Sequence, residues 1–313
     1  MLRIIVRRLL ISIPLLFVVS VITFVLQSFV PGDPARSLLG VFATPEQYAA
    51  LRQTLHLNEP ILGQYWIYLT GVFHGDLGTS IFTGDPVLTT LGQRVPVSLS
   101  IILGGTLVSA LIGISLGVFS ATRGRVLRRV IDVVSLAGFA LPNFWVGLVL
   151  ASIFAVSLAI LPATGYIPFA QSPSGWAQSL ILPVAALALY GIASIAKVAR
   201  DGVMTAMGMD YIRTLRASGV PERSLVWKHA LRNSGLSIST MIGLVFVGSL
   251  SGTIMVEYVF VLPGLGSLAV DATNKHDIPV IQGVALAFTV LVVIVNLIVD
   301  IAYGIIDPKV RLS

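Results

Sequence analysis

"VIDVVSLAGFALPNFWVGLVLASIFAVSLAI", residues 130–160, runs for 31 residues with one charge, Asp132. As a single helix it would be about 46 Å long at about 1.5 Å per residue. The hydrocarbon of a bilayer is only about 30 Å thick. Pro142 resolves the excess, because proline suits the first turn of a helix and disrupts the interior of one. The segment therefore reads as an interfacial stretch near Arg125–Ala140 and a membrane crossing from Pro142 to Ile160.

Five more crossings flank it: Leu9–Val30, Ser98–Phe119, Ser179–Ala199, Leu236–Val256 and Val280–Val299. The chain is 56% hydrophobic and 11% charged, against about 25% charged in soluble proteins. No soluble core absorbs that excess, so the solvent is lipid. The expectation is an all-α polytopic membrane protein with six transmembrane helices. Arg3, Arg7 and Arg8 precede the first apolar run in the manner of a secretion signal. That run has 22 residues, too long for a signal core of about 7–15, and no small-x-small cleavage site follows. It reads as an uncleaved first span. There are no cysteines, which excludes disulfides, thiolate metal sites and cysteine nucleophiles.

Orientation follows from the loops. With the N-terminus inside, the inner segments carry 16 of the 20 Lys and Arg residues and the outer segments four: Arg36, Arg52, Arg94 and Lys275. The positive-inside rule then puts both termini in the cytoplasm, together with the loop after the fourth span. The long outer loop, 31–95, has turn chemistry at "PGDP" 31–34, "FHGDLGTS" 73–80 and "TGDP" 83–86. Between them Thr44 and Pro45 open a helix as N-cap and first helical residue. A second amphipathic piece from Leu62, "LGQYWIYLTGVF", suits either the membrane surface or the outer mouth.

Small residues recur every four positions in the second span, at Gly105, Ser109, Gly113 and Gly117, and again at Gly248 and Gly252 in the fifth. Such ridges let helix backbones approach closely in lipid. They serve internal packing or a path that closes tightly. Charges within the spans are scarce. Asp300 lies one turn after Asn296 on the same face, near a helix end whose dipole disfavours an acid, so a cationic loop residue is expected beside it. Glu257 is expected just past the fifth span, at the outer interface. With so few intramembrane acids, proton- or sodium-driven transport fits poorly. Enzymatic signatures are sparse too. The four histidines, His56, His74, His229 and His276, form no pair at metal-ligand spacing. No lysine follows a glycine, so there is no G-x-x-x-x-G-K-[ST] phosphate loop.

One polar stretch stands apart. Residues 204–218, "MTAMGMDYIRTLRAS", read as a helix with Met207, Tyr211 and Leu215 on one face. Gly219 can take the left-handed conformation that ends it. Pro221 opens a second helix over 221–233, with Leu225 and His229 on a common face. Arg213, Arg216, Arg223, Lys228 and Arg232 are mixed with apolar side chains along the pair. Two short helices meeting at a hinge suit docking into a groove on another protein. A loop resting on anionic lipid needs no such hinge.

"DYIRTLRASGVPERSLVWKHALRN", residues 210–233, resembles the cytoplasmic EAA loop of permease subunits in ABC importers. Arg213-Thr214-Leu215 occupies the triplet and Gly219 the following glycine. "VPGDPARSLLG" 30–40, "LPGLG" 262–266, "DIPVIQG" 277–283 and "NLIVDIAYGIIDPKVR" 296–311 resemble the dipeptide/oligopeptide branch, first (B-type) permease, which also includes glutathione and nickel permeases. The resemblance covers essentially the whole chain. Leu215 departs from the usual small residue of the triplet, and Leu262 stands where relatives often carry an aromatic residue.

The resemblance implies a type I ABC importer permease fold. It implies a tail and first span over 1–30, an extracytoplasmic loop over 31–95 and a permease core over 96–313 with its coupling loop at 201–235. It implies a second homologous permease, two cytoplasmic ATPases that bind ATP and magnesium, and an extracytoplasmic substrate-binding protein. The chain itself would bind no cofactor, metal or nucleic acid. The coupling residues would be Asp210, Tyr211, Arg213, Thr214, Leu215, Arg216, Ala217, Gly219, Pro221, Glu222 and His229. Ser98, Ser109, Asn143, Ser249, Thr253 and Glu257 are candidates for the translocation path, and Asn296, Asp300 and Asp307 for assembly. Di- or oligopeptides are the expected cargo, with glutathione or chelated nickel as alternatives. A secondary carrier or channel would need coupling acids or an inverted repeat, and neither is visible.

Overall fold

The computed structural model describes residues 2–29, 32–40, 43–123, 129, 132–133, 138 and 140–306. Among them the protein is helical and forms no β-strand; Thr79 and Pro86 make one isolated antiparallel bridge. Most of the interfacial segment expected over 125–140, and Asp307, lie outside the described residues.

Among the described residues, five helices are long and apolar enough to cross a membrane. They are α1 (Leu2–Ser28), α5 (Val87–Thr122), α7 (Pro173–Met207), α10 (Gly235–Phe260) and α12 (Ile278–Ile306). The sixth expected crossing is α6 (Asn143–Leu150), which continues as a π-helical turn through Ser157. Its start is where proline chemistry puts it: Pro142 is extended (φ −63°, ψ 137°) and caps the helix. Its end comes three residues before Ile160, since the chain leaves the helix and Ala159 turns left-handed (φ 52°). Fifteen apolar residues span about 22 Å, short of the full hydrocarbon.

Among the described residues, five short helices punctuate the segment between α1 and α5 and the one between α7 and α10. The first is α2 (Pro34–Leu39), capped by the Asp33 carboxylate through the amides of Ala35 and Arg36. In α3 (Pro45–Thr54) the expected Thr44 cap forms a full capping box with Gln47. Then come α4 (Ile61–Phe73), α8 (Asp210–Ala217), and a rod over 222–233, α9, whose middle, Leu225–Ala230, is π-helical. A further helix, α11 (Leu265–Lys275), precedes α12.

The chain divides into two compact units. One comprises residues 1–5, 99–262 and 294–313, and the other 6–98 and 263–293. In the first unit α7 is the central helix, with 67% of its apolar window buried, whereas the apolar window of α1 has none. The small residues of α5 serve that packing. A Cβ on Gly113 would sit 2.9 Å from the Ile195 side chain, and one on Gly117 would sit 2.6 Å from the Ala196 carbonyl. One turn before Gly113 the Ser109 hydroxyl donates to the Ala188 carbonyl at 3.0 Å, across from Gly191. Gly248 and Gly252 of α10 diverge: Gly252 abuts Asn143 and Leu187, while Gly248 has open space.

In the second unit, the turn over 76–86 is tied to the start of α12 by Asp277. Its carboxylate accepts from the Ser80 hydroxyl at 2.5 Å and the Ile81 amide at 3.2 Å. Both side chains are buried. The same stretch brings Pro279 onto left-handed Gly78 and lets Val87 pass over Gly283. This gives the "DIPVIQG" motif a concrete structural job.

Candidate functional site

The loop singled out at 201–235 folds as a helix–turn–helix set on the ends of two long helices. The single helix expected over 204–218 is broken. α7 stops at Met207, Gly208 and Met209 leave the helix, and α8 starts afresh at Asp210. Glycine at the end of a helix and an acid in the first turn of the next both favour the break. Consequently Met207 packs inward with the α5–α7 cluster, whereas Tyr211 is partly exposed.

α8 ends in a Schellman closure. The Val220 amide reaches the Leu215 carbonyl and the Gly219 amide reaches the Arg216 carbonyl, both at 3.1 Å. Gly219 has φ +82°, which L side chains adopt only at a cost. Across this turn the Arg216 guanidinium donates from Nε to Glu222 Oε1 at 2.5 Å and from Nη2 to Oε2 at 3.2 Å. The hydrogen bond from Arg216 holds the Glu222 carboxyl below its ordinary range. Arg213 reaches back to Asp210 at 3.1 Å, and the Thr214 hydroxyl bonds the Asp210 carbonyl.

The underside is apolar. Ile212 and Leu225 are fully buried. Val226 and Ala230 of α9 close a cluster with Val118 of α5 and with Val203 and Ala206 of α7. Trp227 stands edge-on to Phe119 of α5, centroids 6.4 Å apart. The turn therefore stands on an apolar base packed against the ends of α5 and α7.

Of the expected coupling residues, Asp210, Tyr211, Arg213, Thr214, Arg216, Ala217, Gly219, Pro221 and Glu222 come together as one exposed tip. Leu215 is half-buried beside them. His229 sits half-buried on the π-helical part of α9, away from the tip. The anchors Ile212, Val226 and Ala230 were not singled out by sequence. For Ile212, the alternation of exposed and apolar positions along α8 was the available signal.

The expected path residues are mostly committed internally. Ser98 accepts the Leu265 amide at 2.7 Å and so caps α11. Ser109 bonds Ala188, and Ser249 bonds the Val245 carbonyl. Thr253 and Glu257 are fully buried, with Thr253 Oγ1 donating to Glu257 Oε1 at 3.4 Å. Glu257 thus lies inside α10 rather than past its end, because the helix continues to Phe260. Asn143 abuts Gly252. In α12, Asn296 is exposed and Asp300 half-buried.

Among the described residues no three His, Asp or Glu side chains gather to hold a metal. One Gly-x-Ser-x-Gly spelling exists, Gly113–Gly117. A nucleophile elbow needs a sharp strand-to-helix turn. Here the motif lies inside α5, and the Ser115 hydroxyl is spent on the Leu111 carbonyl at 2.7 Å.

Residues 113–312 match the family described as "Binding-protein-dependent transport system inner membrane component", and residues 1–102 match its N-terminal counterpart. A Brucella abortus (strain 2308) protein, named provisionally as a peptide transport system permease protein, is 38% identical over 312 residues, 99% of each chain. The "Probable peptide ABC transporter permease protein" of Sinorhizobium fredii is 37% identical over 98% of each chain. The glutathione transport system permease protein of Salmonella choleraesuis is 37% identical over 99% of each. An all-α chain of long apolar helices, matched from end to end, belongs to this family of binding-protein-dependent transport system inner membrane components, and is a multi-pass, non-catalytic ABC permease subunit of the inner membrane.

Proposed function

We propose that this chain is the B-type permease of an ATP-driven importer of di- and oligopeptides, forming the translocation path with a second homologous permease. Two ATPases, carrying ATP and magnesium, dock on the loop at 201–235 and on its counterpart in the second permease. A binding protein delivers cargo from outside. The observation that carries this reading is the closed turn at 215–222. Its exposed charged tip stands on an apolar base fixed to α5 and α7. A stiff lever of this kind transmits ATPase closure to the spans. The bias of Lys and Arg supports cytoplasmic termini and a cytoplasmic tip. The division into 1–30, 31–95 and 96–313 belongs to the same proposal, as do path roles for Asn143, Thr253 and Glu257.

Peptide cargo rests on the names of the full-length relatives. Glutathione is the second reading, favoured by relatives of near-equal identity; it is itself a tripeptide. The test is uptake by the assembled transporter in proteoliposomes, with its binding protein, offering dipeptides, longer peptides, glutathione and a nickel chelate. ATP-dependent peptide uptake upholds the proposal, and uptake of glutathione alone moves it to the second reading. Uptake by this chain without ATPases would overturn both.

A further inference from the structure

Helix α4 lies in the long loop expected outside, in a piece expected at the membrane surface or the outer mouth, and it contacts the middle of α1. The Tyr65 hydroxyl shares a hydrogen bond of 2.8 Å with the Ser20 hydroxyl. The Tyr65 ring stands edge-on to Phe17 and Phe24, at 6.2 and 5.4 Å between centroids. Tyr68 adds a contact with Phe24 at 6.4 Å. The apolar window of α1 is Leu10–Gln27. Ser20 lies ten residues from one end and seven from the other, about 15 and 10 Å at about 1.5 Å per residue. That is near the middle of a hydrocarbon layer about 30 Å thick.

The other side of α4 is apolar and, among the described residues, uncovered. Leu62 is 82% exposed, Trp66 64% and Phe73 80%, with Ile61 and Ile67 about half exposed. α1 likewise exposes apolar side chains, among them Leu10, Ile13 and Leu26. No residue from Ile61 to Phe73 is charged. Two of its polar side chains bond the backbone locally: the Thr70 hydroxyl donates to the Trp66 and Ile67 carbonyls, and Gln64 Nε2 donates to the Glu59 carbonyl. Lipid demands such internal satisfaction. Thirteen residues, about 20 Å, are too few to cross.

We propose that α4 is a half-membrane helix sunk into one leaflet beside α1, with Leu62, Trp66 and Phe73 in contact with lipid acyl chains. Lipid is the occupant because the helix is held at bilayer depth by Ser20, Phe17 and Phe24, where exposed neighbours already face hydrocarbon.

The test uses native membranes holding the assembled transporter. A diazirine tethered to a phospholipid acyl chain and a water-soluble diazirine are photolysed separately, and modified residues are mapped by peptide mass spectrometry. The proposal expects Leu62, Trp66 and Phe73 to react with the lipid-borne carbene at the level of Leu10 and Leu26. Gln47 of α3, the aqueous control, reacts only with the soluble reagent. Labelling of Leu62, Trp66 and Phe73 by the soluble reagent would overturn the proposal. So would protection from both reagents, which would mean that another subunit covers the face.

Discussion

Arg216 and Glu222 face each other across the Gly219 turn through two near-parallel hydrogen bonds. Both side chains are solvent-exposed, so the pair adds little to stability. Its effect is orientational: it fixes the angle between α8 and α9 while the apolar base stays where it is.

Arg216→Glu sets two carboxylates against each other at that turn. The expected outcome is normal insertion and thermal stability with transport per ATP hydrolysed reduced about tenfold, within the usual range of coupling free energies. Arg216→Glu combined with Glu222→Arg should recover much of the loss. Equal loss in single and double variants, measured as uptake against ATPase rate, would assign Arg216 a direct contact with the ATPase instead.

Gly219 separates space from backbone strain. No atom lies within 4 Å of a Cβ built there, so only its φ of +82° resists substitution. Gly219→Ala costs about 1–2 kcal/mol of local strain, and asparagine tolerates this region better. Gly219→Pro fixes φ near −65° and removes the amide that closes the turn. Uptake should therefore fall in the order Asn, Ala, Pro, with the proline variant inserted and uncoupled.

The helical skeleton was legible because apolar runs and proline placement report directly on lipid crossing. Pro142, Thr44, Pro45 and Gly219 each did locally what their chemistry dictates. Other features depend on distant partners. Asp277 is one acid in a loop until Ser80 and Ile81 arrive from nearly 200 residues away. Glu257 was misplaced because hydropathy falls at an acid although the helix runs on. The break at Gly208 was missed because apolar periodicity continues straight through it. The exposed tip of the loop over 201–235 was readable from charge and hinge, but its base was hidden among ordinary apolar residues.

The two small-residue motifs should behave differently. A Cβ on Gly191 would lie 2.3 Å from Ser109 Oγ and 2.7 Å from Val245 Cγ1. Gly191→Ala therefore overpacks the contact of α5, α7 and α10, at about 1–3 kcal/mol, and displaces the bond from Ser109 to Ala188. Gly248→Ala meets no neighbour and should leave thermal unfolding in detergent unchanged. A large side chain at Gly248 that blocks uptake without lowering the melting temperature would mark that face of α10 as path-lining.

Asp277→Ala strips the Ser80 hydroxyl and Ile81 amide of their shared acceptor in a buried place. Orphaned buried donors cost about 1–3 kcal/mol each. The turn over 76–86 should then open to protease, with the ends of α5 and α12 intact. Asp277→Asn keeps an acceptor oxygen and should retain most of the protection. Unchanged cleavage in Asp277→Ala would show that Pro279 on Gly78 and Val87 on Gly283 hold the turn unaided.

Asp33 gives the segment after α1 a pH dependence whose sign is fixed. Burial pushes its carboxyl up, but the Tyr48 hydroxyl, the Ala35 and Arg36 amides and the Arg52 guanidinium together bring it below 3.8. Arg52 Nη1 lies 2.6 Å from the carboxylate and also donates to the Tyr48 hydroxyl, while Nη2 donates to the Leu57 carbonyl, so one acid joins α2, α3 and the turn beyond. A carboxyl depressed by folding stabilises the fold above its unfolded value, and that contribution disappears as pH falls through the folded one. Protection of residues 43–60 from acid-active protease should hold from neutral pH down to about pH 4 and then fade, as the linkage window requires. Asp33→Asn should be less protected at neutral pH and insensitive over the same range. A wild-type profile that declines between pH 6 and 7 would show that Asp33 is not the controlling group.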